Sequence, residues 1–249
     1  MPPVSLVLLP GLDGSGVLFR PLLRALPASI PAQVITYPAD QPLDYEALLP
    51  RVMDALPSAA PFVLLGESFS GPLALRVAAL RPAGLVGVVL CASFYRSPHP
   101  YLPGWVRGLA QPWLLRLAPQ FVQAKALLGG YQTPDLRLLL GEAHARVTPG
   151  VLACRLRAVL SVNAAEALAQ CPVPLLYLRG TRDFVVPRWN STDIARLLPS
   201  ATIHPVAAPH MVLQTQPQLA ATALAQFIEE ATGSIGIEDD AQAEVGAAE

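Results

Sequence analysis

One short segment of the sequence has the residue types and the spacing that create a reactive serine. The hexapeptide GESFSG, residues 66–71, lies between an apolar run of strand length and an apolar helical pattern. This is the context of a nucleophile elbow, G-x-S-x-G, in which a sharp turn from strand to helix exposes the serine hydroxyl and requires small neighbours. Gly66 meets that requirement, and Ser70 stands where glycine is usual. We predict that Ser68 is a nucleophile; the alternative is a glycine-rich helix start without a catalytic role.

A serine alone is a poor nucleophile, so this chemistry requires a base and an acid that orients the base. His210, in the segment APHM, lies on the loop after the last predicted strand, whereas the other three histidines fall in helical or apolar segments. Asp183 follows the preceding predicted strand, in GTRDFVVP. Each residue alone could be a solvated loop residue or a helix cap. Their occurrence in the order serine, acid, base predicts the catalytic set Ser68, Asp183 and His210.

Attack on a carbonyl creates an oxyanion, which N–H donors must stabilise. We predict one donor in the backbone N–H of Phe69, directly after the serine. The other is predicted in the N–H of Leu12, in the loop LLPGLDGSG that follows the first predicted strand. Gly11 lets the backbone approach closely there. The loop matches neither glycine pattern that binds nucleotide phosphates, so nucleotide binding is not expected.

The elements that must position these residues alternate between strand and helix. Apolar runs of strand length, without polar alternation, begin at Val4, Ala32, Pro61, Leu85, Val173 and Ala201. Strands buried on both faces have this pattern, which is typical of a parallel sheet covered by helices. Helices are predicted near residues 17–26, 43–56, 69–80, 188–198 and 215–232. The alternation predicts an α/β fold with a mostly parallel sheet flanked by helices.

Two segments depart from this alternation. Residues 94–165 contain leucine-rich helical patterns without a convincing strand, so we predict a helical cap inserted into a core of residues 1–93 and 166–232. The segment 233–249 is small and acidic, and we predict a disordered tail there. The cap could be extra helices on one face of the sheet, or it could cover a site at the strand ends.

Composition and charge restrict the class of protein. The 249 residues are 53% hydrophobic and 14% charged, which favours a folded domain with a large core. Seventeen Lys and Arg against 18 Asp and Glu leave no overall positive field for nucleic acid. Prolines interrupt the longest uncharged stretch, so no membrane span is predicted. Three scattered cysteines predict neither disulfides nor a metal site and, without a signal-peptide pattern, favour a cytoplasmic location.

With its elbow GESFSG, the acid in GTRDFVVP and the base in APHM, the sequence resembles the α/β-hydrolase superfamily. It is most similar in layout to small carboxylesterases and to the esterase/lipase/thioesterase group. The resemblance implies a serine hydrolase that acts, without a cofactor, on a small-molecule carboxylic ester or acyl thioester through an acyl-enzyme. The sequence departs from the family pattern twice, because Pro10-Gly11 replaces the common His-Gly and Ser70 replaces the second elbow glycine.

Residues around the predicted catalytic loops indicate what the site binds. Phe94, Val185 and Met211 neighbour these loops and predict a pocket for an apolar acyl group. The cap carries a surplus of bases: Arg96, Arg107, Arg116, Lys125, Arg137, Arg146, Arg155 and Arg157. They could form a solvated helical face, or an anionic acyl carrier could dock on the basic cap. Two alternatives stay open for the site itself, namely an acyltransferase with the same triad and a non-catalytic ligand-binding receptor.

Overall fold

In a computed structural model, the chain forms a six-stranded sheet in which every strand pair is parallel. The structure describes residues 3–58, 60–103, 105, 108, 111 and 120–246. The strands are β1 (Ser5–Leu9), β2 (Ala32–Val34), β3 (Phe62–Glu67), β4 (Leu85–Cys91), β5 (Leu175–Gly180) and β6 (Thr202–Val206). Their order across the sheet is β2-β1-β3-β4-β5-β6. All six lie where the sequence predicted strands, and the predicted fold class is confirmed.

Helices connect the strands and cover both faces of the sheet. They are α1 (Arg20–Ala25), α2 (Tyr45–Ala55), α3 (Gly71–Ala79), α4 (Gln120–Leu128), α5 (Pro134–Ala145), α6 (Pro149–Ser161), α7 (Ala165–Ala169), α8 (Trp189–Leu197), α9 (Val212–Thr215) and α10 (Pro217–Gly246). Local sequence explains where several begin. Thr133 and Thr148 cap α5 and α6 with their side-chain oxygens, and a proline occupies the first turn of each helix.

Alternate residues of the strands pack on opposite faces of the sheet. On one face, Leu64 and Val88 pack with helices α2, α3, α7 and α8. On the other face, Val63 and Val89 pack with α1, α9 and α10. Each fully buried side chain of this size contributes roughly 1.5–3 kcal/mol of hydrophobic free energy. Burial on both faces is the reason why the four inner strands, β1, β3, β4 and β5, show no polar alternation.

Helices α4, α5 and α6 lie within the segment predicted as a cap, and each contacts the rest of the chain. Arg20 on α1 forms a bidentate ion pair with Glu142 on α5, with N–O distances of 2.5 and 2.8 Å. The N–H of Met211 donates to the carbonyl of Leu127 on α4 at 3.2 Å. These two contacts tie α5 and α4 to elements on the face of the sheet that α1, α9 and α10 cover. The division into core and cap stays a prediction.

The last helix differs from the sequence-based expectation. We predicted a helix ending near residue 232 and a disordered tail over 233–249, whereas α10 continues through Gly246. Alanine and glutamate in this segment favour a helix, whereas its glycines at 233, 236 and 246 oppose one, so local composition alone does not explain the continuation. Residues 247–249 lie outside the described residues.

Parallel strands bring the loops at their carboxyl ends to one edge of the sheet. The loops that follow β1, β3, β5 and β6 carry the predicted oxyanion donors, nucleophile, acid and base. This edge is the usual ligand-binding edge of an open α/β sheet. Among the described helices, none combines the length and apolar character that crossing a membrane requires.

Candidate active site

The predicted nucleophile lies on a tight turn between β3 and α3. Ser68 has φ of +47°, in the left-handed region that residues other than glycine rarely adopt. The hydroxyl of Ser93, after β4, donates to the carbonyl of Ser68 at 2.5 Å and holds this conformation. A Cβ atom at Gly66 would lie 2.6 Å from the carbonyl oxygen of Ser70. The turn therefore has the strain and the close crossing that the sequence motif predicted.

The three predicted catalytic side chains form one hydrogen-bonded chain. Ser68 Oγ lies 2.9 Å from His210 Nε2, and His210 Nδ1 donates to Asp183 Oδ2 at 2.8 Å. The other carboxylate oxygen of Asp183 accepts from the N–H groups of Val185 and Val186, at 2.8 and 2.9 Å. The side chains of Asp183 and His210 are 2% and 7% exposed. This arrangement can activate a serine hydroxyl, because it fixes the imidazole with Nε2 facing Oγ.

Strand β5 and the loop after β6 bring acid and base together. The N–H of Thr181 donates to the Val206 carbonyl at 2.8 Å, and that of Arg182 to the Ala208 carbonyl at 2.9 Å. These bonds continue the β5–β6 pairing beyond the strands. They hold Asp183 beside His210 although the two residues lie on different loops.

Ser68 and His210 open into a cavity of about 260 Å³. Leu12 and Phe69, the predicted oxyanion donors, line this cavity, as do the predicted pocket residues Phe94, Val185 and Met211. Much of the remaining lining comes from the cap helices, through Leu127, Leu140, Leu152, Leu156, Val159 and Leu160. The structure thus places the predicted site residues around one cavity, except for Asp183, which does not line it and contacts His210 through Nδ1. Their individual roles stay predictions.

Two histidines that sequence reasoning left in the cap also line the cavity. Nε2 of His99 donates to the carbonyl of Val185 at 3.0 Å, and Nδ1 of His144 donates to the carbonyl of Leu140 at 2.9 Å. A neutral imidazole that donates from one nitrogen accepts at the other. The sequence carries no local signal for the position of the two histidines, because both residues reach the cavity through the packing of the cap.

Glu67, directly before the nucleophile, is a buried carboxyl group that sequence reasoning also missed. Its Oε1 accepts a hydrogen bond from Gln214 at 2.8 Å, and its Oε2 has no partner in the part of the chain that the structure describes. Burial raises the pKa of Glu67 to about 7, and the nearby Asp13 adds to this, whereas Gln214 and His210 lower it. Glu67 lines the same cavity. In the sequence, the position of Glu67 at the end of a predicted buried strand was the signal that could have indicated its burial.

The basic surplus of the cap is smaller at the surface than the sequence suggested. Arg155 is completely buried, so its inclusion in a surface patch was wrong. Arg96 pairs with Asp193, and Arg146 pairs with Glu142. Lys125, Arg137 and Arg157 are exposed, while Arg107 and Arg116 lie outside the described residues. Counting charges overestimated the patch because burial and pairing depend on tertiary contacts.

No group of three or more His, Cys, Asp and Glu side chains within the described ranges is arranged to hold a metal ion.

The sequence of the chain matches a family profile and is similar to several known proteins. A family profile described as serine aminopeptidase, S33 (Hydrolase_4) matches residues 40–212. The chain is 30% identical over 251 residues to the polyketide synthase ThaQ of Burkholderia thailandensis, covering 90% of this chain and 12% of that protein. It is 27% identical over 238 residues to the biotin biosynthesis bifunctional protein BioHC of Cellvibrio japonicus, covering 90% of this chain and 47% of that protein. The chain thus spans about an eighth of the length of the first relative and about half of the length of the second.

A third relative and a solved structure match over more of their own length. The chain is 28% identical over 191 residues to the pimeloyl-[acyl-carrier protein] methyl ester esterase of Neisseria meningitidis serogroup C, covering 68% of this chain and 72% of that protein. The structure of a bromoperoxidase from Bacillus anthracis superposes with a TM-score of 0.77 at 19% identity, covering 91% of this chain and 92% of that chain. At this identity the superposition shows a shared fold alone.

Proposed function

Because the chain belongs to the serine aminopeptidase S33 family of hydrolases, we propose that it cleaves a carboxylic ester or thioester with an apolar acyl group through an acyl-enzyme. Its similarity to α/β-hydrolases is thereby confirmed. The observation that best supports the proposal is the hydrogen-bonded chain from Ser68 through His210 to Asp183, open to a largely apolar cavity. The proposed reaction uses no cofactor.

In the first half of the proposed reaction, Ser68 Oγ attacks the carbonyl carbon of the substrate. His210 Nε2, 2.9 Å away, accepts the hydroxyl proton, and Asp183 keeps the imidazole oriented through Nδ1. The tetrahedral oxyanion accepts hydrogen bonds from the N–H groups of Leu12 and Phe69. His210 then returns its proton to the leaving alcohol or thiol, and the acyl group remains on Ser68.

In the second half, water repeats these steps with the acyl-enzyme as the electrophile. His210 removes a proton from the water, the oxyanion forms again at the same donors, and collapse of the intermediate releases the acid and restores Ser68. If an alcohol replaces water, the same residues perform acyl transfer. Hydrolysis and transfer therefore differ in what the cavity admits at this step and not in the catalytic groups.

The cavity supports an apolar acyl group. Leucine and valine side chains of the cap provide much of its lining, and a volume of about 260 Å³ accommodates more than an acetyl group. The similarity to a pimeloyl-[acyl-carrier protein] methyl ester esterase also supports an acyl ester substrate. Docking of an anionic acyl carrier on the cap would now rest on the exposed bases Lys125 and Arg137.

A fluorophosphonate label and a substrate panel test the proposal. We expect the label to modify Ser68, and we expect turnover of p-nitrophenyl esters in a series from acetate to palmitate. Ser68→Ala should abolish both while the protein stays folded. Turnover of L-aminoacyl p-nitroanilides without ester cleavage would favour the aminopeptidase of the family description. Ligand binding in the cavity without labelling or turnover would favour a receptor.

A further inference from the structure

Arg155 on α6 is the largest side chain buried completely in the described part of the chain. Its Nη1 donates to the carbonyl oxygens of Leu12 and Asp13, both at 2.9 Å, and its Nη2 donates to that of Pro38 at 2.9 Å. The guanidinium also lies over the ring of Tyr37, with Cζ 5.4 Å from the ring centroid. Two of these carbonyls belong to the loop predicted to bind the oxyanion.

A buried guanidinium is costly, so its position requires an explanation. Arg155 forms none of the ion pairs found among the described residues, and desolvation lowers its pKa. The Tyr37 ring and the charge of Asp13 offset this in part. An apolar side chain of similar size would fill the space at lower cost. The benefit of the arginine must therefore lie in what its donors hold.

Those donors complete the anchoring of the whole oxyanion-binding segment. Each of the four consecutive carbonyls of residues 10–13 accepts a hydrogen bond. Ser70 Oγ donates to the first, the N–H of Gly14 donates to the second at 3.0 Å, and Arg155 donates to the third and fourth. The peptide that carries the N–H of Leu12 thus lies between two peptides anchored by side chains. Its own carbonyl is bonded as well, so its N–H direction is defined.

Gly14 shows how closely the guanidinium approaches this loop. It has φ of +73°, and a Cβ atom there would overlap Nη1 of Arg155. Only glycine combines this backbone conformation with this space. The segment DGSG matches no phosphate-binding pattern. Its first glycine, Gly14, instead provides the space that Arg155 of the cap occupies.

We propose that Arg155 is a positioning residue that holds the oxyanion-binding backbone from the cap. The inference rests on the proposed function, which assigns the N–H of Leu12 to the oxyanion. Arg155 belongs to α6, so its guanidinium reaches the loops after β1 and β2 only while α6 packs against them. The proposed oxyanion hole is therefore complete only in that arrangement. Placement of the cap and stabilisation of the transition state are therefore coupled through one side chain.

The test compares Arg155→Met and Arg155→Lys with wild type, with Arg157→Met as the matched control. Arg157 is an exposed arginine on the same helix. For each protein we would measure kcat and KM on a neutral p-nitrophenyl ester and hydrogen–deuterium exchange of the amides at 11–16. Methionine fills space without donors, and lysine keeps the charge but lacks the planar fork that reaches three carbonyls.

We expect Arg155→Met to lower kcat by about 10- to 100-fold with KM within about twofold, because the oxyanion exists only in the transition state. Exchange should become faster at residues 11–16, and Arg157→Met should match wild type in both measurements. A folded Arg155→Met with wild-type kcat and exchange would overturn the proposal. If it does not fold, wild-type kcat and exchange in Arg155→Lys would overturn it equally. A different result is faster exchange in Arg155→Met together with a wild-type protein that turns over no ester. That result would overturn the proposed function, and with it the role of the N–H of Leu12 in binding an oxyanion.

Discussion

The hydroxyl of Ser70 donates a hydrogen bond to the carbonyl oxygen of Pro10. These residues stand at the two places where the sequence departs from the common α/β-hydrolase pattern, and the structure places them in direct contact. Tyr37 completes the arrangement, because its hydroxyl donates to Ser70 Oγ at 2.6 Å. Glycine at position 70 would leave both groups without this partner. The two departures therefore form one structural unit that links the elbow to the oxyanion loop.

Removing the Ser70 hydroxyl should cost stability in a way that depends on Tyr37. We expect Ser70→Ala to lower the free energy of unfolding by about 1–3 kcal/mol, because a buried carbonyl and a buried hydroxyl both lose their partner. The double variant with Tyr37→Phe should cost less than the sum of the single variants. Urea denaturation of the four proteins measures this coupling, and strictly additive values would contradict it.

Within the proposed triad, the acid and base variants should not act independently. Asp183→Asn and His210→Ala should each lower kcat by several orders of magnitude, about 10⁴- to 10⁶-fold as for other triads. Combining them should add little, since the serine is already without a competent base. Steady-state kinetics on one ester gives the comparison. Multiplicative losses in the double variant would argue against a shared catalytic unit.

The buried carboxyl of Glu67 should make stability fall as pH rises. Its pKa is raised from 4.5 to about 7, so between these values the folded protein retains a proton that the unfolded chain has released. Because the unfolded state then binds fewer protons, stability decreases with pH, by on the order of 3 kcal/mol in total. Urea midpoints at pH 5 and pH 8 should show this loss in wild type. Glu67→Gln should flatten it, whereas Glu229→Gln, at an exposed position on α10, should not.

Acyl-chain length should respond to the volume of the cavity under the cap. We expect medium-chain p-nitrophenyl esters to be turned over faster than the acetate, because more apolar surface is buried on binding. Leu156→Trp, which adds bulk to the lining, should shift the preference toward shorter chains. Leu138, an exposed leucine of α5, provides the control substitution to tryptophan. An acetate preference in wild type would contradict a roomy acyl pocket.

Carrier docking on the cap predicts a dependence on salt. If an anionic acyl carrier uses the exposed bases, kcat/KM for an acyl-carrier or acyl-CoA substrate should fall steeply from low to physiological ionic strength. The double variant Lys125→Glu and Arg137→Glu should show the same loss at low salt, and a neutral ester should be affected by neither change. Arg24→Glu, at an exposed base of α1, is the charge control. Parallel salt profiles for the charged and neutral substrates would leave the cap bases as a solvated surface.

Local pattern was sufficient to find the strands and to select the candidate catalytic side chains. The four inner strands could be recognised because burial on both faces leaves continuous apolar runs, and parallel pairing then brings the carboxyl ends of all six to one edge. Ser68 could be recognised because a strand-to-helix turn requires small residues at fixed spacing. Asp183 and His210 followed from their positions after later strands. These are properties of short segments, and a sequence displays them directly.

Tertiary packing alone decided where the charged and polar residues of the cap lie. Arg155 and Arg157 are two positions apart on one helix, yet one is completely buried and the other exposed, because side chains two apart point to opposite sides of a helix and only one side of α6 is covered here. Outside the cap, the burial of Glu67 depends likewise on contacts between segments distant in the chain, such as its hydrogen bond with Gln214. A helical pattern predicts that one face is covered, but which polar groups are enclosed depends on what covers it. The sequence therefore predicted the proposed chemistry of this protein, and the tertiary structure decided which side chains surround and position the proposed catalytic groups.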